Sequence, residues 1–377
     1  MNTAELMKLL EEIPEPRKGN AIKHNLKDVL LIGLLCIICN GETFTDMELF
    51  GETHYEELKQ YLALPHGVPS HDTFGNVFSK VNSDELKKCF PLFVEALKDE
   101  IEKHTIAIDG KTIRRSKSVD KKATHVVTAY SSEFQLVMGQ LATDEKSNEI
   151  TAIPQLLDLF EVKGTTITID AMGTQKEIAE KIVQKDGNYV LALKENHPRL
   201  LDDVRLYMQT EVMNQSKASL ADCYFKRSEK GHGRIETREC YLCNDVAWLE
   251  GREQWKKLNG FAAIVTKREE IGQAASTHCD YFIYSHEQMT AEDLMKTKRK
   301  HWAIENQLHW MLDVTFREDL SRARIENAAE NLNILRKLSL QLLKAETTVK
   351  GSMRAKRLRC GYDLFYALKV IGVNGFS

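Results

Sequence analysis

A chain of 377 residues, 42% hydrophobic and 28% charged, is long enough for two or three domains with a large core. Its balance excludes a disordered or collagen-like chain. The net charge of −3 gives no overall attraction to nucleic acid, so such a partner would have to be met by local clusters of lysine and arginine.

Residues 1–100 read as a helical N-terminal domain. The apolar run from Val29 to Cys39 is too short to span a bilayer and follows too much mixed charge for a signal peptide. A buried helix at 26–39, a cytoplasmic location and no membrane partner are therefore expected. Residues 46–64 carry Met47, Leu49, Phe50, Leu58 and Leu62 at helical spacing. Ser70 is the expected N-cap of a helix buried through Phe74, Val77 and Phe78. Ser83 is the expected cap of the next, which runs through Phe93 to Ile101.

From Thr105 the pattern changes. Strands are expected at 105–109, 125–131 and 136–143, then a helix at 149–160, a strand at 165–170, a helix at 175–185 and a strand at 188–193. This is a mixed α/β sheet in the order of a ribonuclease-H-like core, whose first part occupies 101–200. Four β-like runs at 224–228, 235–242, 260–267 and 278–284 make 201–290 a β-rich insertion. Residues 291–377 complete the core, helical to about 344. The eight cysteines are scattered in mostly apolar stretches, as reduced thiols are. Cys240 and Cys243 have metal-like spacing but neither the flanking turns nor a matching pair for zinc.

Two strands stop at an acid: Ile106-Ala107-Ile108-Asp109 and Ile167-Thr168-Ile169-Asp170. Strand ends at a sheet rim are where ligands and metals gather. With a third carboxylate they would suit hard divalent cations, which take oxygen ligands and in pairs support in-line phosphoryl transfer. Three residues compete for that place. Glu305 shares a helical face with His309 and Asp313, on a helix expected to be anchored by Trp302 and Trp310. Glu236 lies in the insertion, and Asp319 follows the helix. Basic residues adjoin two of the acids: Lys111, Arg114, Arg115, Lys117, Lys121 and Lys122 after Asp109, and Lys296, Lys298, Arg299 and Lys300 before Glu305. The cluster Arg354, Lys356, Arg357 and Arg359 reads as a solvated face. The acids also have plain structural readings, since a strand-end Asp often caps a turn and an i,i+4 pair is a common helix-surface contact.

Several longer stretches occur together: Gly67-Val68-Pro69-Ser70-His71-Asp72-Thr73-Phe74, Ala107-Ile108-Asp109-Gly110-Lys111-Thr112, Ile169-Asp170-Ala171-Met172-Gly173-Thr174-Gln175, Tyr189 to Asn196, His232 to Arg238, and His301 to Asp313 with Glu318-Asp319 and Arg322-Ala323-Arg324. Through them the chain resembles, nearly end to end, bacterial insertion-sequence transposases of the DDE type, in the branch that includes the H-repeat-associated proteins. The resemblance implies a ribonuclease-H-like catalytic domain split by the insertion. It implies Asp109, Asp170 and Glu305 as the catalytic acids, with Glu236 as the rival third, holding Mg²⁺ or Mn²⁺. The implied reaction is cleavage at the element ends followed by strand transfer. The implied partners are double-stranded DNA (terminal inverted repeats and target) and a second copy in a homodimeric synaptic complex. DNA contacts are expected from Lys111, Arg114, Arg115, His232, Arg234, Arg238, Arg299, Lys300, His301 and His309. Many relatives place Tyr, Arg and Lys at −7, −4 and +7 from the Glu, where this chain has Lys298, His301 and Leu312, so the full signature is absent. A metal-dependent nuclease on the same core and an inactive DNA-binding remnant are the alternatives.

Overall fold

The computed structural model describes residues 3–19, 22–95, 104–118, 122–143, 149–231 and 233–373. Its N-terminal part is helical: α1 (Thr3–Glu12), α2 (Leu26–Ile38), α3 (Phe44–Thr53), α4 (Tyr55–Leu58), α5 (His71–Lys80), α6 (Ser83–Lys87) and α7 (Cys89–Val94). Helix α2 is apolar all round because it is buried all round. Ser70 caps α5 as expected, accepting from the Thr73 N–H. At α6 the cap is Asn82 and not Ser83: the Asn82 side chain accepts from the Asp84 N–H at 3.0 Å, satisfying a first-turn donor that the helix leaves open. The expected continuation at 96–101 lies outside the described residues.

Among the described residues nine strands build one sheet: β1 (Thr105–Thr112), β2 (His125–Ser131), β3 (Leu136–Thr143), β4 (Thr166–Ile169), β5 (Asn188–Leu193), β6 (Tyr224–Gly231), β7 (Arg234–Cys243), β8 (Gly260–Glu270) and β9 (Ser276–Tyr284). Their order is β3-β2-β1-β4-β5-β9-β8-β7-β6. Strands β1, β4 and β5 are parallel, and β2 and β3 fold back antiparallel. This is the mixed α/β, ribonuclease-H-like arrangement read from the sequence. The insertion makes no sheet of its own. Its strand β9 pairs antiparallel with β5, Val190 opposite Tyr284, so the central sheet simply continues. Strand β1 outruns its expected end at Asp109 because it keeps pairing with β2 as far as Thr112 opposite His125.

Helices α8 (Glu149–Leu156), α9 (Lys176–Gln184) and α10 (Pro198–Tyr207) cover one face. Helices α11 (Ala291–His301) and α12 (Ala328–Ala345) cover the other. Side chains alternate along a strand. Ile106 and Ile108 therefore pack with Ile153, Leu156 and Ile178, while Ala107 belongs to the opposite core with Leu308 and Leu338. Asp109 and Lys111 share the Ala107 face. That second core also holds Leu30 and Phe78 from α2 and α5, and Cys360 and Leu368 from α13 (Met353–Tyr362) and α14 (Leu364–Val370). Both ends of the chain thus pack into it. Arg357, expected on a solvated face, is buried there, its Nη2 donating to the Ile37 carbonyl at 2.7 Å.

The helix expected through 290–344 is interrupted. Wide, π-type turns occupy Ile304–His309 and Met311–Thr315, with Phe316 N–H donating to the Met311 carbonyl at 3.1 Å. A left-handed Arg317 (φ 49°) and a 3₁₀ turn, Glu318–Leu320, follow. The sequence supplies a reason. Ile304, Leu308, Leu312 and Phe316 are all buried and recur every fourth residue. At 3.6 residues per turn that stripe would drift by about 40° each repeat, and widening the turn keeps it on the core. Trp302 and Trp310, expected as anchors, are 53% and 54% exposed; anchoring falls to the apolar stripe. Among the described residues no helix is long and apolar enough to cross a membrane. All eight cysteines are free, and Cys240 and Cys243, three apart on β7, face opposite ways.

Candidate active site

Strands β1 and β4 bring two acids side by side. Ile108 lies opposite Ile169; Asp109 follows within β1 and Asp170 immediately past the end of β4, the two strands being neighbours about 4.8 Å apart. The Asp170 carboxylate closes its own turn, its Oδ1 accepting from Met172 N–H at 3.1 Å and Gly173 N–H at 3.3 Å. The loop after β5 braces this turn: Asn196 Nδ2 donates to the Ala171 carbonyl at 2.6 Å, and His197 Nε2 lies 2.6 Å from the Thr174 carbonyl. Tyr189 to Asn196 stood out in the sequence without suggesting this bracing.

Burial pushes the Asp109 carboxyl up to about 7, against a hydrogen bond from Gly110 N–H, and repulsion from Asp170, Glu305 and Glu149 adds to the rise. Asp109, Asp170 and Glu305 therefore lie within one electrostatic field. Glu305 itself is exposed. Glu149 is a fourth acid that sequence reasoning missed. Its Oε1 lies 2.6 Å from His125 Nε2, and His125 Nδ1 lies 2.9 Å from Thr112 Oγ1. The pair sits behind Gly110, where an added Cβ would come within 2.3 Å of Glu149. The packing of α8 on β2 assembles it, and spacing along the chain carries no sign of that.

Both histidines of the Glu305 segment face the acids. His309 Nδ1 lies 3.5 Å from Asp109 Oδ2, and its buried Nε2 has no hydrogen-bond partner among the described residues. His301 Nδ1 lies 2.9 Å from Thr168 Oγ1. Burial lowers His309 to about 3 and His301 to about 4, so both rings are neutral at pH 7 and offer no positive charge to a phosphate.

Lys111, expected on the DNA backbone, has its charge engaged inside the protein: Nζ is 2.5 Å from both Asp313 Oδ1 and Glu318 Oε2. Arg114 is largely exposed, 3.4 Å from Asp319 Oδ2, and Arg115 is exposed. Arg299 pairs with Glu229 at 2.5 Å and Lys300 with Glu133 at 2.6 Å, both remaining partly exposed. Glu236 sits among Arg234, Arg238 and Arg268. Burial opposes its ionisation, but the hydrogen bond from Arg268 and the charges of Arg238 and Arg234 hold it below the usual carboxylate range. His232 lies outside the described residues. Among those residues no lysine or arginine forms an ion pair with Asp109, Asp170 or Glu305. Nor is any group of three or more His, Cys, Asp and Glu placed to hold a metal ion; like charges repel, and the acids share a field without closing into a cluster.

Comparison with known proteins gives a consistent result. Residues 101–342 match the family described as transposase DDE domain, and residues 7–94 match the one described as DDE_Tnp_1-associated. The chain is 38% identical to the H repeat-associated putative transposase YhhI of Escherichia coli K12, covering 99% of this chain and 100% of that protein. It is 36% identical to the putative transposase YncI of Escherichia coli O157:H7, covering 98% and 95%. Among solved structures, a piggyBac transposase synaptic complex with hairpin DNA aligns over 98% of this chain and 76% of that one, with 12% identity and a TM-score of 0.45. The chain belongs to the DDE transposases: it is a DNA transposase of an insertion sequence, and so a phosphoryl transferase acting on DNA.

Proposed function

We propose that this transposase cuts and joins DNA at the ends of its element with Asp109, Asp170 and Glu305 as the catalytic acids. The observation that carries the proposal is the field they share: Asp109 and Asp170 each follow one of the paired residues Ile108 and Ile169 on parallel strands, and Asp109, raised first by burial, is raised further by Asp170 and Glu305. Glu236, already compensated by three arginines, has no such coupling, which favours Glu305 as the third acid.

The donor set fits a hard divalent cation. It is all oxygen, it is anionic, and no lysine or arginine among the described residues neutralises it. Mg²⁺ or Mn²⁺ held by these three side chains would supply Lewis-acid stabilisation of charge on the phosphate oxygens. The chain itself does the rest. The Met172 and Gly173 N–H groups hold the Asp170 carboxylate in place. His309 stands beside Asp109 as a neutral ring. Water displaces the 3′-oxygen of a phosphodiester at the element end, and the released 3′-hydroxyl then displaces a 3′-oxygen in target DNA. Each step breaks one P–O bond and makes one.

Double-stranded DNA, as terminal inverted repeats and as target, would run over the exposed Arg114 and Arg115 and over Arg299, Lys300, Arg234 and Arg238 at the insertion, contacts blind to sequence and weakened by salt. Two copies would pair two ends in a homodimeric synaptic complex in the cytoplasm. Asp109→Asn should abolish cleavage of a labelled element end with Mg²⁺ while retaining binding in a mobility-shift assay. Normal cleavage by that variant would remove the site. With the unaltered protein, joined product supports transposition, cleavage without joining a nuclease, and binding alone a remnant.

A further inference from the structure

We infer that Lys111, Asp313 and Glu318 are positioning residues, a partly buried ionic clasp that fixes the segment carrying Glu305 at its working distance from Asp109. The inference rests on the assignment of those two acids above.

The segment from Ile304 to Thr315 lies against β1, and two polar contacts repeat along it. His309 meets Asp109 at 3.5 Å. One turn later Asp313 meets Lys111 at 2.5 Å. Asp109 and Lys111 are two residues apart on one strand face, about 6.6 Å of strand, close to the roughly 5.4 Å pitch of a helical turn. The two elements therefore run in step, and the second contact sets the register of the first.

The clasp closes on a third element. Lys111 Nζ is also 2.5 Å from Glu318 Oε2, and Glu318 is 0% exposed. Its other oxygen accepts from Asn333 Nδ2 at 2.8 Å and lies 3.6 Å from Arg336 Nη1 on α12. Wide turns are rare and short, and they occur often at functional sites; here contacts from outside the segment hold it in place. Its far end is fixed too: Arg357 Nη1 donates to the Thr315 carbonyl, and the guanidinium stacks on Phe316 at 4.1 Å. A lysine two residues after a candidate catalytic acid is readily taken for a phosphate contact. Here its donors go to two carboxylates, 202 and 207 residues away in sequence.

The test uses the full chain with Asp313→Asn, Lys111→Met and the conservative Lys111→Arg. Circular dichroism confirms folding, a mobility shift measures binding to an element-end duplex, and Mn²⁺ alone is titrated by electron paramagnetic resonance. Partners that orient metal ligands typically alter affinity by about 10- to 100-fold. Folded Asp313→Asn should bind Mn²⁺ at least about tenfold more weakly and cleave more slowly, with end binding unchanged, and Lys111→Arg should recover part of what Lys111→Met loses. Asp313 is only partly buried, so its variant keeps the test open if Lys111→Met does not fold. Mn²⁺ affinity and cleavage within about twofold of the unaltered chain, a margin well below that expected for such partners, would overturn the clasp. Asp109→Asn, run alongside, separates the failures. If it too keeps Mn²⁺ binding and cleavage, the acid assignment is wrong; if it loses both while Asp313→Asn loses neither, only the clasp is wrong.

Discussion

Asp109 holds its proton up to about pH 7. A divalent cation binds the ionised carboxylate, so binding must expel that proton. The sign follows. Below about 7 the proton and the cation compete, and above it they do not. Mn²⁺ affinity of the whole protein should climb from about pH 6 to about pH 8 and then level off, and the climb should be missing in Asp109→Asn. A titration at three pH values measures it; equal affinity at the two ends of that window would sink the idea. At this scale the sequence was informative where chemistry coincides with pattern. Two β-branched runs that stop at an acid pointed to Asp109 and Asp170, although only β4 ends there and β1 continues to Thr112. It was uninformative where a side chain's job depends on a distant partner. Lys111 looked like a DNA contact because its two carboxylates lie on an element no local pattern connects to β1. Glu149 and His125 went unseen because only the packing of α8 against β2 brings them together.

The segment between α11 and α12 shows the same divide one level up. Helical periodicity from 290 onward was plain, yet a stripe at every fourth residue, rather than alternating threes and fours, was the mark of widened turns. The tryptophans on either side of Glu305, the expected anchors, are both half exposed. Buried Leu308 and exposed Trp302 should therefore behave oppositely to their bulk. Leu308→Ala removes a fully packed side chain and should cost about 2–5 kcal/mol of stability. Trp302→Ala, largely at the surface, should cost well under about 1 kcal/mol. Urea denaturation of the two variants decides it: a larger loss for Trp302→Ala would show that the tryptophan and not the apolar stripe holds the segment.

Over the whole molecule, the N-terminal helices are the hardest part to read from sequence. The pattern changes from helical to strand and helix at Thr105, which suggests a self-contained domain before it. The packing says otherwise. Leu30, Leu34 and Ile38 of α2 and Phe78 of α5 share one core with Leu335, Leu338 and Leu342 of α12 and with Leu364 and Leu368 near the C-terminus. Asn331 of α12 donates to the carbonyls of Phe78 and Val81 at 2.9 and 2.8 Å, and Arg357 donates to that of Ile37. A helix apolar on every side, such as α2, can only be satisfied by neighbours on every side, and some of these come from the far end of the chain. Sequence periodicity reports that a face is apolar but not which partner covers it. The consequence is thermodynamic. A chain lacking residues 1–94 would expose the α12 face and leave the carbonyl partners of Asn331 and Arg357 missing, a large loss against a typical margin of about 5–15 kcal/mol. It should not fold by itself. The intact protein should melt in one calorimetric transition whose van't Hoff and calorimetric enthalpies agree, because the shared core cannot be half lost. Two resolved transitions, with the first assigned to the N-terminal helices, would show that those helices are a separate unit after all.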